Sequence, residues 1–496
     1  MLVSCFDGAS GYSSSTQKNK SLADSSKNDS SKITQRIERI ENGLLLPVAV
    51  KGEPRVSMKL ADRMLTHKTP GVSVAFINNG KIEWARGYGV RESGSGKPVT
   101  TETLFQAGSI SKPFTGMAAL RLVQQGKLNL DEDVNRKLVS WKVPENEFTK
   151  QEKVTIRRIL SHTAGTTNNS VGTYASDAEL PTLPQALDGA KPANSPAVLV
   201  DYIPGSRQRY SGGGYTILQQ LLIDVTGKPF PQLMRETVLA PVGLKQSTFE
   251  QPLPKKLQNF AAVGHNLNGE KISGNWRVFP ESAAAGMWST PSELARLLIE
   301  VQKSREGKSN KVLSAETIKQ MLTPQTFGWG LGFVVEGENR TARFSHGGST
   351  DGYRCVAVAY NSGQGAVIMT NADRGDRLAD EILRSIAREY GWSEFQPKEK
   401  VVAKVDPKVY AAYVGQYEFE FSSDYVVTVG INAGNLTTEL KQPSGQTKAE
   451  LLPESEIRFF RKDVDLEILF VKDEKGRVTH LTFFQEGQEF QAKKIK

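Results

Sequence analysis

Long apolar runs are missing from this chain of 496 residues. No stretch of about 18 consecutive apolar residues occurs, which excludes an ordinary membrane-spanning helix. Cysteine is almost absent: Cys5 and Cys355 are the only two. Two cysteines make no disulfide framework. Cys5 lies in a polar tail, and Cys355 falls in the apolar run Cys355-Val356-Ala357-Val358-Ala359-Tyr360, where it reads as a core residue. The five histidines, His67, His162, His265, His346 and His480, form no H-x-x-x-H pair, and there is no C-x-x-C, so no metal site is expected. Phosphate-binding loops are missing as well. Gly212-Gly213-Gly214 lacks a G-x-G-x-x-G context, and Gly94-Ser95-Gly96-Lys97 lacks the Walker spacing. With no nucleic-acid motif either, neither an organic cofactor nor a nucleic-acid partner is expected. Acidic residues are outnumbered, 54 against 63 basic, for a net charge of +9. The plain reading is a basic, soluble surface; the sharper one is affinity for an anionic surface such as a cell wall or lipid headgroups.

What is present is length enough for two or three domains. Residues 1–32 form a Ser/Lys/Asn/Asp-rich tail expected to be disordered. Within it, Leu2-Val3-Ser4-Cys5 reads as a bacterial lipobox with Cys5 as a lipid anchor, although no basic and apolar leader segments precede it. The expectation is an exported protein, periplasmic or membrane-anchored, with a cytoplasmic location as the alternative. Helical spacing covers Ile33–Asn42 and 56–67. A strand over 71–77, an Asn79-Gly80 turn and a return strand over 82–90 follow. From Ser109 to about Ala285 the pattern is helix and loop, with helices at 112–125, 154–160, 215–225 and 291–302. Strands return at 330–335, 341–345, 354–360 and 365–370, before an amphipathic helix over 376–390. A sheet made from both ends of the domain and enclosing a helical insert is α+β, with two lobes and a cleft between them. After a Lys/Val/Pro linker at 396–408, eight short alternating strands in 409–496 suggest a small β-barrel.

Three stretches carry residues suited to acyl transfer. In Gly108-Ser109-Ile110-Ser111-Lys112-Pro113, a serine and a lysine three apart share one helical face. A hydroxyl attacks an acyl carbon only when something accepts its proton, and a neutral lysine can do so. Pro113 fits a first helical turn, which places the Ser109 N–H among the unpaired donors of a helix start, suited to an oxyanion. The second stretch, Arg209-Tyr210-Ser211-Gly212-Gly213-Gly214-Tyr215, is a glycine-rich loop that can aim the Tyr210 hydroxyl into a cleft. The third is Ser345-His346-Gly347-Gly348-Ser349 at a strand end. Its glycines allow close approach of a substrate backbone, and the Ser349 N–H is a second oxyanion donor. His162 reads as part of a helix-end turn and Trp288 as core.

Taken in order, these stretches resemble the S-x-x-K, Y-x-N and K-T-G or H-x-G motifs of the serine β-lactamase and penicillin-binding-protein superfamily, in its class C-like, esterase-like branch. Stretches 126–134, 160–165 and 285–291 match as well. The resemblance spans roughly residues 33–395, and 409–496 looks like a lipocalin-like barrel appended to some of these hydrolases. It implies a two-lobed β-lactamase-like fold, an acyl-enzyme at Ser109, and proton transfer shared between Lys112 and Tyr210. It also implies an oxyanion hole from the Ser109 and Ser349 N–H groups, and a substrate edge formed by His346 and Gly348. Two departures stand out: Gly212 replaces the usual asparagine, which would leave Lys112 less tightly held, and His346 replaces a lysine, which would weaken the anchoring of a substrate carboxylate. They favour esters, amides or D-amino-acid peptides, including cell-wall-derived ones, over β-lactams. A true class C β-lactamase and a non-catalytic penicillin-recognition or cell-wall-binding protein are the alternatives.

Overall fold

A computed structural model describes residues 30–167, 171–442, 445–485 and 488–496; Cys5 and most of the low-complexity tail lie outside them. Helix α1 (30–41) leads to the hairpin of β1 (Gly71–Asn78) and β2 (Lys81–Gly89). The hairpin turns at Asn79-Gly80, both at positive φ, as its right-handed twist requires. The helical lobe follows, with α2 (Ser111–Gln124) and α3 (Gly212–Thr226), after which α4 (Pro291–Arg305) packs on the face of the sheet. The chain then returns through β3 (Val334–Glu336), β4 (Arg343–Thr350), β5 (Tyr353–Tyr360) and β6 (Gly365–Thr370) to α5 (Gly375–Tyr390). The sheet is antiparallel, in the order β2-β1-β6-β5-β4-β3.

Both faces of this sheet are covered, which explains why β1 reads as an almost continuous apolar run. Successive side chains point to opposite faces. Ala75 and Ile77 join the larger core with the helical lobe, whereas Val72, Val74 and Phe76 join a second core with Ile37 and Ile40 of α1 and Leu378, Ile382 and Ile386 of α5.

Two boundaries differ from the sequence expectation in ways that matter for the site. The glycines expected to form a loop before Tyr215 are the first turn of α3. Ser211 caps that helix, its Oγ accepting the Gly214 N–H at 3.1 Å. Burial of Tyr215, Ile217, Leu218, Leu221 and Leu222 outweighs the poor helix propensity of the three glycines. Similarly, the His346 stretch lies inside a strand: β4 pairs with β5 from Arg343↔Tyr360 through Thr350↔Tyr353. Its glycines hid this continuation, because glycine carries no strand signal.

The C-terminal segment is a nearly closed, barrel-shaped antiparallel sheet of nine strands. The ninth is the two-residue strand Leu452–Pro453, too short to leave a periodic signal. Tyr413, Tyr417, Phe459, Ile468 and Phe470 fill the interior, with Tyr413 and Phe470 stacked at 4.2 Å. Part of the linker is ordered, Lys398–Lys400 pairing in parallel with Val48–Val50. Arg377 of α5 pairs with Asp463 at 3.2 Å, and Lys462 pairs with Glu53 at 2.6 Å. The barrel therefore attaches on the α5 side of the hydrolase sheet, opposite the helical lobe. No described helix is long and apolar enough to cross a membrane.

Candidate active site

Ser109 sits in a 3₁₀ turn, Gly108–Ile110, that runs directly into α2. Ser111 fastens this turn: its hydroxyl donates to the Gly108 carbonyl at 2.6 Å and accepts the Met287 N–H at 3.0 Å. The Ala107 N–H donates in turn to the Met287 carbonyl at 2.8 Å. Lys112 follows in the first turn of α2, only 2% exposed. Its Nζ lies 3.0 Å from Ser109 Oγ and donates to the Ala284 carbonyl at 2.8 Å. The Tyr210 and Tyr215 rings flank the same nitrogen, with centroids at 4.9 and 5.7 Å. The expected loosening of Lys112 by Gly212 is therefore offset by Ala284 and two aromatic rings.

Ala284 belongs to the short helix Ser282–Ala285. Gln219 of α3 holds that helix, accepting the Ala283 N–H at 2.8 Å and donating to the Pro280 carbonyl at 2.9 Å. Thr115 donates to the Ala283 carbonyl at 3.1 Å. Neither Ser111 nor the Ala284 carbonyl was singled out from sequence, because each acts on a partner more than 160 residues away.

Tyr210 lies half-buried just before α3, its ring 4.4 Å from His162 and 5.9 Å from Trp329. His346 reaches the same cluster, 6.3 Å from Tyr210 and 5.7 Å from Trp329. The structure thus brings Ser109, Lys112, Tyr210 and His346 together. It adds Trp329, a lone tryptophan before a glycine that gave no signal in sequence. Trp288 is wholly buried against Trp276 and Tyr353 and is core.

His346 is buried, and its Nδ1 donates to the Gly347 carbonyl at 2.6 Å. Burial pushes its imidazole down to about 3, and the Lys112 charge adds to the effect. The ring is neutral at physiological pH, so this position presents no cation to a carboxylate. Along β4, the Gly347 and Ser349 positions are open, and Gly348 faces inward. A Cβ on Gly348 would stand 2.0 Å from the Ala107 carbonyl, and one on Gly108 would stand 2.8 Å from the Ser349 nitrogen. Two glycines therefore let β4 lie against the nucleophile turn, with the Ser349 amide beside Gly108 and one residue from Ser109. At Gly212 a Cβ would stand 2.4 Å from Val171 Cγ2, so Val171 occupies the room of a residue-212 side chain.

One further group lies beside these elements. Glu281, just before the Ala284 turn, is fully buried and accepts the Gly172 N–H at 3.1 Å. Its other carboxylate oxygen has no partner among the described residues. Burial pushes its carboxyl up to about 7. Among the described residues, no group of three or more His, Cys, Asp or Glu side chains is placed to hold a metal ion.

The beta-lactamase family model matches residues 56–389, well over half the chain and all of the elements just described. The chain belongs to the beta-lactamase family. These proteins are β-lactamase-fold serine hydrolases, and the two-lobed domain has that fold. Residues 399–495 match a domain of unknown function, DUF3471. Penicillin-binding protein 4* of Bacillus subtilis (strain 168) is 23% identical over 454 residues, covering 87% of this beta-lactamase family member and 96% of the relative. Among solved structures, the octameric penicillin-binding protein homologue from Pyrococcus abyssi is 22% identical with a TM-score of 0.57, covering 88% of this chain and 98% of that one. The D-amino acid amidase from Ochrobactrum anthropi SV3 is 20% identical with a TM-score of 0.54, covering 67% of this chain and 97% of that one. These structures share the fold.

Proposed function

We propose that this protein is a serine acyl hydrolase whose acyl-enzyme forms on Ser109, with esters, amides or D-amino-acid peptides as substrates. The observation that carries this reading is the 3.0 Å approach of Lys112 Nζ to Ser109 Oγ at a buried helix start. Once Lys112 has given up a proton, the Oγ proton passes to Nζ while Oγ bonds to the acyl carbon. Tyr210, whose ring lies 4.9 Å from Nζ, relays that proton to the leaving group. The Ser109 and Ser349 N–H groups receive the oxyanion, and the open backbone at Gly347 with Gly348 lets the substrate lie along β4. Water then takes the acyl group, with the same groups acting in reverse.

Two features rank esters and amides above β-lactams. His346 is neutral and cannot anchor a carboxylate as a cation, and Val171 occupies the room that an asparagine side chain at 212 would need. The relatives named penicillin-binding protein and D-amino acid amidase favour a D-configured or cell-wall-derived acyl group. As part of the same proposal the protein is exported, with Cys5 as a candidate lipid anchor.

A screen of p-nitrophenyl esters, D-aminoacyl amides and nitrocefin, run beside Ser109→Ala, tests this reading. Turnover of esters or amides that vanishes in the variant is expected. Nitrocefin turnover of roughly 1–10³ per second would instead make the protein a β-lactamase. Ligand binding without turnover that survives Ser109→Ala would make it a recognition protein.

A further inference from the structure

His162 holds the tyrosine loop from two directions. Its backbone carbonyl accepts the Arg209 N–H at 2.8 Å, and its ring Nδ1 accepts the Ser211 N–H at 3.2 Å. These are the residues on either side of Tyr210. Between those two bonds the imidazole lies against the Tyr210 ring, with centroids 4.4 Å apart and planes at 35°. Trp329 meets the imidazole at 89° and 4.6 Å, and Tyr215 lies 5.5 Å away. Because Nδ1 accepts, the ring proton sits on Nε2.

This placement is costly. His162 adopts φ 59°, the left-handed region that a helix-end turn ordinarily fills with glycine or asparagine. Its Nε2 is buried and has no hydrogen-bond partner among the described residues. A turn needs neither the strain nor the orphaned N–H. What the imidazole does provide is an acceptor and a flat surface at the base of Tyr210.

We propose that His162 is a positioning residue: the neutral, Nε2-protonated ring fixes the Tyr210 side chain by accepting the Ser211 N–H and packing against the phenol. Burial, and then the charge on Lys112, lower the basicity of His162 well below the usual histidine range. Protonation at Nδ1 would remove the acceptor, so that shift preserves the bond. The inference rests on the acyl-transfer reading, in which Tyr210 delivers a proton to the leaving group.

The consequence is specific to the leaving group. p-Nitrophenolate departs without a proton, whereas phenolate, with an ordinary pKa of about 10, gains from one. A displaced Tyr210 therefore slows phenyl acetate more than p-nitrophenyl acetate.

The experiment compares kcat and KM for both esters in wild type, His162→Gly and His162→Asn, with circular dichroism and Tm on each protein. Asparagine tolerates the left-handed backbone and places its carboxamide oxygen where Nδ1 stands. Glycine keeps the backbone and removes both acceptor and ring. For His162→Gly, kcat/KM for phenyl acetate, which reports acylation because both esters give the same acetyl-enzyme, should fall about tenfold or more beyond the fall for p-nitrophenyl acetate. His162→Asn should recover most of the difference. Equal losses for the two esters, or an asparagine variant no better than glycine, would overturn the inference. Should His162→Gly not fold, His162→Gln, whose acceptor lies one carbon further out, takes its place against His162→Asn. A wild type that neither turns over these esters nor is labelled at Ser109 by a fluorophosphonate would instead remove the acyl-transfer reading itself.

Discussion

Lys112 shows how much one buried side chain asks of its neighbours. Its nitrogen has Ser109 Oγ on one side, the Ala284 carbonyl on another and two tyrosine rings around it. Lys112→Met keeps the stem packed and removes the nitrogen, so the acylation rate should drop by about 10²–10⁴-fold with the fold intact, as measured by stopped-flow with an activated ester. Ser111→Ala removes both bonds that fasten the nucleophile turn, leaving the Gly108 carbonyl and Met287 N–H without that hydroxyl; denaturant unfolding should show a loss of about 1–3 kcal/mol. Glu281 makes a pH prediction. Its carboxyl holds its proton up to about pH 7 in the fold, against an ordinary value of 4.5. A raised value means that the folded state binds the proton more tightly. The stabilisation is full below the unfolded value and is lost as pH rises through 7. The Tm of wild type should therefore fall relative to Glu281→Gln between about pH 5 and pH 8, and a constant difference between them would contradict this assignment. At this scale the approach of Ser109 and Lys112 was legible because local spacing and a helix start are sequence features, and Tyr210 was placed beside them by the resemblance. The Ala284 carbonyl was not, since it is a backbone atom supplied across 172 positions.

At the scale of elements, the site is made where the nucleophile turn, α3 and β4 approach one another, and small residues set those distances. β4 comes close because residues 108 and 348 have no side chain. At α3, Val171 and Gly212 act as a pair. Gly212→Asn alone should destabilise the protein by about 1–3 kcal/mol through overpacking, whereas Gly212→Asn with Val171→Gly should recover stability and raise β-lactam acylation, read by thermal melts and nitrocefin. The double-mutant cycle should show a clear coupling between the two positions. Much of this layer was readable beforehand. The apolar strand over 71–77, the Asn79-Gly80 turn, the helix over 291–302, and eight of the nine barrel strands follow from period and turn chemistry. The glycine stretches were misread because glycine weakens both helix and strand signals, and tertiary packing decided each case.

At the scale of the molecule, the barrel meets the hydrolase domain through ion pairs, and the linker joins it through a short parallel ladder. Polar contacts of this kind resemble a transient interface more than a shared core. Arg377→Glu combined with Lys462→Glu should loosen the barrel while leaving each core intact. Calorimetry should then separate one transition into two, with ester hydrolysis little affected because the attachment lies on the α5 face, opposite the helical lobe. Sequence placed the two units in order but was silent on which face joins them, since ion pairs between distant segments leave no local pattern.

The central claim is that Ser109 is the atom acylated. Intact-protein mass spectrometry after a fluorophosphonate pulse, followed by peptide mapping, tests it directly. One adduct per chain on the peptide containing Ser109, absent in Ser109→Ala and slowed in Lys112→Met, is the expected result. No adduct, or an adduct that persists in Ser109→Ala, would contradict the account.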